Sequence, residues 1–360
     1  MKNFILMAVA ILVIVGAYVW LTTPTPAPLN ANFVRTVKPV ADVTLDKNVV
    51  PKGQGKLSTP DLKTNSIIGT KTASAKVKVN PKASQQAEAL TITAALFVNI
   101  YNNESIDFSS EKALLNYLKE TNDEQIYQFI IEKLQAATIG NKSDDRVIEY
   151  SLGLLAAIDS SRASEIFYNF VANDNWQGSS AIYAVRKSIE KLNRNGHYTD
   201  VVQQTFTQAS DNSPFIGELA ESIALHAQTE QLDYLIGYVD GNSKNKSTVA
   251  SKAMKKIYTE SLVPHIVSYL SDNSTKKVQD SALNTLANMG QYEAASALIT
   301  WSAIQPKESA AKVEELFNLA LRRSPSTKRA IEKEIQFQTF VSEELKNIII
   351  NLSKKELSKG

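Results

Sequence analysis

The chain has 360 residues, of which 43% are apolar and 21% are charged, and its formal net charge is +2. This composition is typical of a globular protein, and the length allows about two domains. The sequence has no cysteine, which excludes disulfides, thiolate metal sites and a cysteine nucleophile. Residues 22–86 hold ten Lys or Arg and three Asp, a net charge of +7, which together with Lys2 leaves −6 for residues 87–360. The sequence therefore predicts a basic stalk followed by an acidic body.

The N-terminal segment FILMAVAILVIVGAYVWL, residues 4–21, is a run of 18 uncharged residues. As a helix it extends for roughly 27 Å, which is close to the thickness of a membrane hydrocarbon core. Lys2 and the amino terminus carry the nearby positive charge, so the positive-inside rule places the N-terminus in the cytoplasm and the body across the membrane. We predict that residues 1–21 form a single-pass membrane anchor, with a periplasmic body on the inner membrane if the cell is bacterial.

A cleaved signal peptide is the alternative interpretation of this segment. Residues 15–17, Val-Gly-Ala, are small enough for a cleavage site. The apolar run continues beyond that site to Leu21, which favours an uncleaved anchor. Both interpretations export the rest of the chain.

Residues 22–82 are predicted to be a flexible, extended linker. Residues 22–86 contain seven of the eleven prolines, and the opening TTPTPAPLN favours the polyproline conformation of a semi-rigid spacer. The lysines are dispersed along the segment, which indicates a solvated linker rather than a lipid-binding patch.

From residue 83 to residue 360 the apolar side chains recur at spacings of 3 and 4, which predicts amphipathic helices. The alternation of strands and helices that marks a parallel sheet is absent, so the prediction is an all-α body. Longer helices are expected to begin near residues 145, 179, 214, 247 and 277 and to alternate with shorter ones. The predicted buried faces are Ala87, Leu90, Ala94, Phe97 and Tyr101; Ile148, Leu152, Leu155 and Ile158; Ile182, Val185, Ile189 and Leu192; Ile216, Leu219 and Ile223; Val249, Ala253 and Ile257; and Val278, Ala282, Leu286 and Met289.

The predicted helix pairs recur at intervals of about 30 to 35 residues, which is typical of paired-helix repeats stacked as an α-solenoid. The stretch DSALNTLANMG, residues 280–290, resembles the first helix of a HEAT-type repeat. The stretch NMGQYEAASAL, residues 288–298, resembles the middle of a tetratricopeptide repeat, and NRNGHYTDV, residues 193–201, has a similar Gly-x-Tyr turn. The resemblance covers about residues 145–305 and implies a protein-binding scaffold.

The C-terminal segment, residues 328–352, is predicted to form a helix that caps the last repeat within one chain. The alternative is a coiled-coil dimer, because part of the segment follows a heptad frame. One apolar stripe consists of Ile331, Ile335, Leu345, Ile349 and Leu352, and a second consists of Phe337, Phe340, Val341 and Ile348.

The sequence contains no recognisable motif for catalysis or metal binding. The three histidines, His197, His226 and His265, are not at metal-ligand spacing, and the loop 241–247 lacks the second glycine of a phosphate-binding loop. Neighbouring carboxylates such as Asp144 and Asp145 are expected on a solvated helix face. We therefore predict no catalytic residue, no cofactor and no metal, and the acidic body argues against nucleic-acid binding.

The function predicted from the sequence is that of a non-enzymatic scaffold that binds another protein. The alternatives are a structural tether to another envelope layer, or an envelope enzyme or enzyme subunit without a recognisable motif. For any one aromatic candidate a core position is the favoured interpretation. The basic cluster 322–329 is likewise better explained by a helix end, a Ser-Pro turn and a new helix start than by a partner-binding role. The candidate partner-binding residues are Tyr168, Trp176, Tyr183, Tyr238, Trp301, Arg322 and Arg323.

Overall fold

A computed structural model describes residues 81–173 and 175–355, all of which belong to the second of two units, residues 75–360. The described residues are all-α: they contain sixteen α-helices and three short 3-10 helices, and no strand. None of these helices is both long and apolar enough to cross a membrane. The predicted anchor and most of the predicted linker lie outside the described residues.

The helices are numbered here in chain order. A 3-10 turn precedes α11, another precedes α14, and a third follows α15. The bounds are α1 Pro81–Asn102, α2 Phe108–Thr121, α3 Glu124–Ala136, α4 Lys142–Ile158, α5 Ser161–Val171, α6 Ile182–Leu192, α7 Thr199–Gln208, α8 Ile216–Leu225, α9 Thr229–Asp240, α10 Lys244–Met254, α11 Val263–Ser268, α12 Lys276–Met289, α13 Tyr292–Ala303, α14 Ala310–Arg323, α15 Pro325–Glu334 and α16 Glu343–Lys354.

Short polar side chains fix the starts of the early helices. Asp107 caps α2 and Asp123 caps α3, because each carboxylate accepts a hydrogen bond from a backbone N–H of the first turn. Asn141 and Ser160 do the same for α4 and α5. These caps satisfy donors that would otherwise lack a partner, so each helix begins at a position that the local sequence encodes.

Most of the predicted buried faces are confirmed. In α4, for example, Ile148, Leu152 and Leu155 are fully buried. Ile182 and Val249 are only partly buried, because the buried faces of α6 and α10 are narrower than the predicted stripes. The residues of the predicted faces in α4 to α12 that are buried are Ile148, Leu152, Leu155, Ile158, Val185, Ile189, Leu192, Ile216, Leu219, Ile223, Ala253, Ile257, Val278, Ala282, Leu286 and Met289.

The predicted face of α1 is confirmed only in part. Phe97 is buried and Leu90 is partly buried. Ala87, Ala94 and Tyr101 are exposed, and Ala89 and Leu96 are buried instead. This helix carries small and apolar residues around most of its circumference, so a spacing of 3 and 4 fits more than one face. Contacts with α2, α3 and α4 select the buried face, and these contacts are made by residues distant in the sequence.

The helices pack in two rows. In the first row α4, α6, α8, α10, α12, α14 and α16 each contact the next member. In the second row α3 contacts α5 and α5 contacts α7, and further along α11 contacts α13 and α13 contacts α15. Most helices therefore meet the helix two places along the chain, a contact pattern that is compatible with stacked helix pairs.

Polar contacts repeat at the same period. The Tyr127 and Ser160 hydroxyls lie 3.0 Å apart, and His265 lies 2.5 Å from Asp233. Such bonds join residues of successive helix pairs rather than residues of one pair. The sequence separations are 33 residues for Tyr127–Ser160, 29 for Asn193–Ser222, 30 for Ser251–Ser281, 32 for His265–Asp233, 33 for Gln291–Tyr258 and 35 for Arg323–Asn288.

The predicted alternation of long and short helices is confirmed in part. α4 has 17 residues and α5 has 11, and α10 has 11 where α11 has 6, but α8 has 10 where α9 has 12. The expected single C-terminal helix is divided, because α15 ends at Glu334 and α16 begins at Glu343. The first predicted stripe is nevertheless buried within one chain, from Ile331 to Leu352.

Asp145 is buried, contrary to the expectation of a solvated face. Its carboxylate accepts hydrogen bonds from the Gly140 backbone N–H at 2.9 Å, from the Ser179 hydroxyl at 2.8 Å and from the Ser180 backbone N–H at 2.6 Å. Burial alone would raise the pKa of the Asp145 carboxyl, but these hydrogen bonds outweigh burial and lower that pKa below its usual value. The carboxylate thus fastens the start of α4 to the loop that precedes α6.

Candidate functional site

A candidate binding site lies on the second row, between α11, α13 and α15. We call it the α13 groove, and its cavity volume is about 760 Å³. This volume is within the usual range of ligand-binding clefts. The groove is lined by Val267, Ser268, Leu270, Ser271, Tyr292, Glu293, Ser296, Ala297, Thr300, Trp301, Ile304 and Glu334.

The sequence of α13 explains why a groove forms. One face of the helix, which includes Leu298 and Ile299, is buried in the core. The opposite face carries Ser296, Ala297 and Thr300, whose side chains are too small to fill the space between α11 and α15. α13 therefore forms the floor of the groove and its two neighbours form the walls.

One end of the α13 groove is acidic. Glu293 lies in the first turn of α13, and Glu334 lies at the end of α15, where its carboxylate accepts a hydrogen bond from the Ser296 hydroxyl. The Glu334 carboxylate also raises the pKa of Tyr292 through a hydrogen bond. Glu260 contacts Glu293, and a hydrogen bond between the two carboxyl groups raises the pKa of Glu260.

The acidic end is not neutralised within the chain. None of Glu260, Glu293 and Glu334 forms an ion pair in the part of the chain that the structure describes. Lys333 is the nearby cation, and its ammonium lies 5.9 Å from the ring centroid of Tyr292. This end of the groove therefore presents an excess of negative charge.

The other end of the groove is apolar and exposed. Trp301 is partly buried against the core, and Ile304, which follows α13, is 69% exposed. The backbone N–H of Val341 donates to the Ala303 carbonyl at 2.8 Å, which places Val341, 74% exposed, beside this end. Val267 continues the surface on the α11 wall. A contiguous apolar surface of this kind on a folded domain marks an interaction site more often than isolated exposed side chains do.

Of the seven candidate residues predicted from the sequence, Trp301 lines the α13 groove. Tyr168 and Trp176 are buried, so they belong to the core, which was the favoured interpretation of the aromatic candidates. Tyr183 is 70% exposed but lies on α6, away from the groove residues in sequence. The structure does not bring these aromatic residues together.

Tyr238, on α9, packs against residues of α7 and α10 rather than in the α13 groove. Its ring centroid lies 4.8 Å from that of Phe206, and the Lys246 ammonium lies 5.7 Å from the Tyr238 ring. It also borders a smaller cavity of about 450 Å³. Its partial burial is explained by these contacts alone.

Arg322 and Arg323 end α14, and Ser324 caps α15, which begins at Pro325. This is the helix end, turn and helix start that was the favoured interpretation of the basic cluster. Arg323 also donates to the Asn288 side chain at 2.8 Å, whereas Arg322 is exposed. Neither arginine lines the α13 groove.

The sequence did not identify Val267, Leu270, Ile304, Glu293 or Glu334 as site residues. One signal was available: α13 carries a single charged residue, Glu293, in 12 residues. A helix with one exposed face normally places several charged residues on it. The low charge of α13 therefore indicated that both of its faces meet apolar surroundings.

A second cavity, of about 530 Å³, lies along one face of α4 and has walls of mixed charge, including Arg146, Glu149 and Tyr150. Among residues 81–173 and 175–355 no three His, Asp or Glu side chains are grouped so that they could hold a metal ion. No protein-family model matches the chain, and no curated protein is significantly similar to it.

Proposed function

We propose that this protein is a membrane-anchored, non-enzymatic scaffold that binds another protein through the surface of an α-solenoid. The observation that carries the proposal is the α13 groove, where Trp301, Ile304 and Val267 form an exposed apolar surface between three helices. The two rows of helices support the solenoid interpretation, because stacked helix pairs present extended surfaces to partners. The similarity to HEAT and tetratricopeptide repeats remains a resemblance.

Site-specific photo-crosslinking in the native cell tests the proposal. A photoreactive residue at Ile304 should give a saturable crosslink to a protein, whereas the same residue at Leu225, also exposed but on α8, should not. Val267→Glu should abolish the crosslink from position 304, because it places a charge on the apolar wall. A crosslink only to an envelope polymer would favour the tether, and no crosslink from position 304 would contradict the proposal.

The membrane anchor rests on residues 4–21, which are uncharged and long enough to span a bilayer. A reporter that is active only outside the cytoplasm should be active when fused after residue 40. Deleting residues 1–24 should release the body from the membrane fraction. A mature protein that begins near Tyr18 would contradict the anchor and leave export intact.

A further inference from the structure

The two ends of the α13 groove differ in chemistry, and this difference specifies what the groove can bind. The apolar end is formed by Trp301, Ile304 and Val341, and the acidic end by Glu293 and Glu334. The two ends are separated by the length of α13, about 18 Å from Tyr292 to Ile304 at about 1.5 Å per residue. A ligand that fills the groove must therefore be elongated and must have two chemically different ends.

The acidic end of the groove favours a positively charged group of a partner. Glu293 and Glu334 both line this end, and neither forms an ion pair in the part of the chain that the structure describes, so a positive charge placed there would be attracted to both carboxylates. A Lys or Arg side chain can also accept a position against the Tyr292 ring, as Lys333 does at 5.9 Å. The negative charge of residues 87–360 would assist the approach of such a partner.

The apolar end of the groove favours a large apolar side chain of a partner. Val267 and Leu270 line the same groove as Trp301, and Ile304 is 69% exposed. Burying these side chains against a partner would remove apolar surface from water, which is the main driving force of helix-in-groove recognition.

We infer that the α13 groove binds a short amphipathic helix of a partner protein, with Leu-like side chains at the Trp301 and Ile304 end and Lys or Arg at the Glu293 and Glu334 end. The inference rests on the proposed function, since it names the class of partner for the same groove. A helix of about 12 residues matches the length of the groove. Its apolar residues would recur at spacings of 3 and 4, so that they share one face.

Two synthetic 14-residue peptides test the inference. Both carry the same stripe of leucines, and two positions in one terminal turn are Lys in the first peptide and Glu in the second. Binding is measured by fluorescence anisotropy with the full chain in neutral-lipid nanodiscs, and empty nanodiscs serve as the blank. The Lys peptide should bind about tenfold more tightly than the Glu peptide, because each exposed charge pair changes affinity only a few-fold.

Charge reversal in the protein should reverse the preference. The double variant Glu293→Lys with Glu334→Lys should bind the Glu peptide better than the Lys peptide. The control, Glu230→Lys with Glu314→Lys, changes the net charge equally at exposed positions outside the groove and should keep the original preference. An unchanged preference in the first variant, with normal circular dichroism, would overturn the inference.

Ile304→Asp separates failure of the inference from failure of the proposed function. Ile304 is exposed, so this variant should fold normally, and it should weaken both peptides about tenfold or more. Equal binding of the two peptides to the wild type, together with weakening by Ile304→Asp, would reject the basic partner and retain the groove. Binding of both peptides that Ile304→Asp leaves unchanged would reject the groove, and with it the observation that carries the proposed function.

Discussion

At the scale of single residues, the buried carboxylate of Asp145 makes a testable contribution to stability. It is 1% exposed and accepts hydrogen bonds from Gly140, Ser179 and Ser180. Asp145→Asn replaces one acceptor oxygen with an NH2 group that faces these donors. We expect the free energy of unfolding to fall by about 3 kcal/mol, as measured by urea denaturation. Asp144→Asn, the neighbouring control, loses one exposed contact with the Thr138 backbone and should cost less than about 1 kcal/mol.

The same carboxylate should make stability depend on pH in the acidic range. The folded pKa of Asp145 lies below its ordinary value of 3.8, so its stabilising effect is present above that value and is lost as the pH falls through the folded pKa. The difference in unfolding free energy between wild type and Asp145→Asn should therefore be constant near neutral pH. It should shrink once the pH falls below about 4. A difference that grows on acidification would contradict this assignment.

Two glycines should respond in opposite ways to substitution by alanine. Gly153 lies inside α4, and a Cβ added there would meet no atom within 4 Å. Gly153→Ala should raise the free energy of unfolding by about 0.5 to 1 kcal/mol, because alanine restricts the unfolded chain and favours the helix. Gly196 has φ +72°, and a Cβ there would lie 2.6 Å from Cγ of His226. Gly196→Ala should cost about 2 kcal/mol, and thermal unfolding of both variants checks the pair.

The sequence predicted the apolar core residues of α4 to α12 better than it predicted the polar ones. Ile148 and Leu152 can be predicted from spacing alone, because apolar residues at intervals of 3 and 4 define one face of a helix. Asp145 stands in a helix start, where an exposed carboxylate is the ordinary expectation. Its burial depends on Ser179 and Ser180, which lie 34 and 35 residues further along and contribute no local signal.

At the scale of helices, the spacing of apolar residues does not by itself predict the surroundings of α1 and α13. α1 offers more than one apolar stripe, and only its contacts with α2, α3 and α4 decide which face is buried. α13 has a clear core face, which includes Leu298, but its outer face is lined by small residues rather than charges. The groove forms because this outer face lies between α11 and α15. Trp301 could be identified as a candidate from the sequence. That it lines the same groove as Val267 and Glu334 depends on how α11, α13 and α15 pack, which the sequence pattern does not predict.

The helix ends show a similar division between local and tertiary control. α12 ends at Met289, because Gly290 adopts the left-handed conformation that favours a helix C-terminus. At the start of α2, Asp107 is the cap, and the hydroxyls of Ser109 and Ser110, which are also good capping residues, donate to its carboxylate. Competing polar residues within three positions of each other make the exact helix start difficult to predict.

At the scale of the whole body, α16 is the last helix of the first row. α16 packs on α14 and also contacts α13 and α15. The second predicted stripe is only partly buried: Phe340 is buried, but Phe337 is 80% exposed and Val341 is also exposed. The chain leaves the helical conformation between α15 and α16, so side chains that would share one face of a continuous helix point in different directions.

The burial of the first stripe within one chain favours a capping role over a coiled-coil dimer, and a matched pair of double variants tests it. Leu345→Ser with Ile349→Ser removes two fully buried side chains of α16, and we expect a loss of about 4 to 8 kcal/mol, enough to unfold or aggregate the body. Phe337→Ser with Val341→Ser changes two exposed apolar residues nearby and should alter stability by less than about 1 kcal/mol. Urea unfolding and sedimentation of the full chain measure both effects. If the first variant instead stays folded and changes only from dimer to monomer, α16 is a dimerisation helix and not a cap.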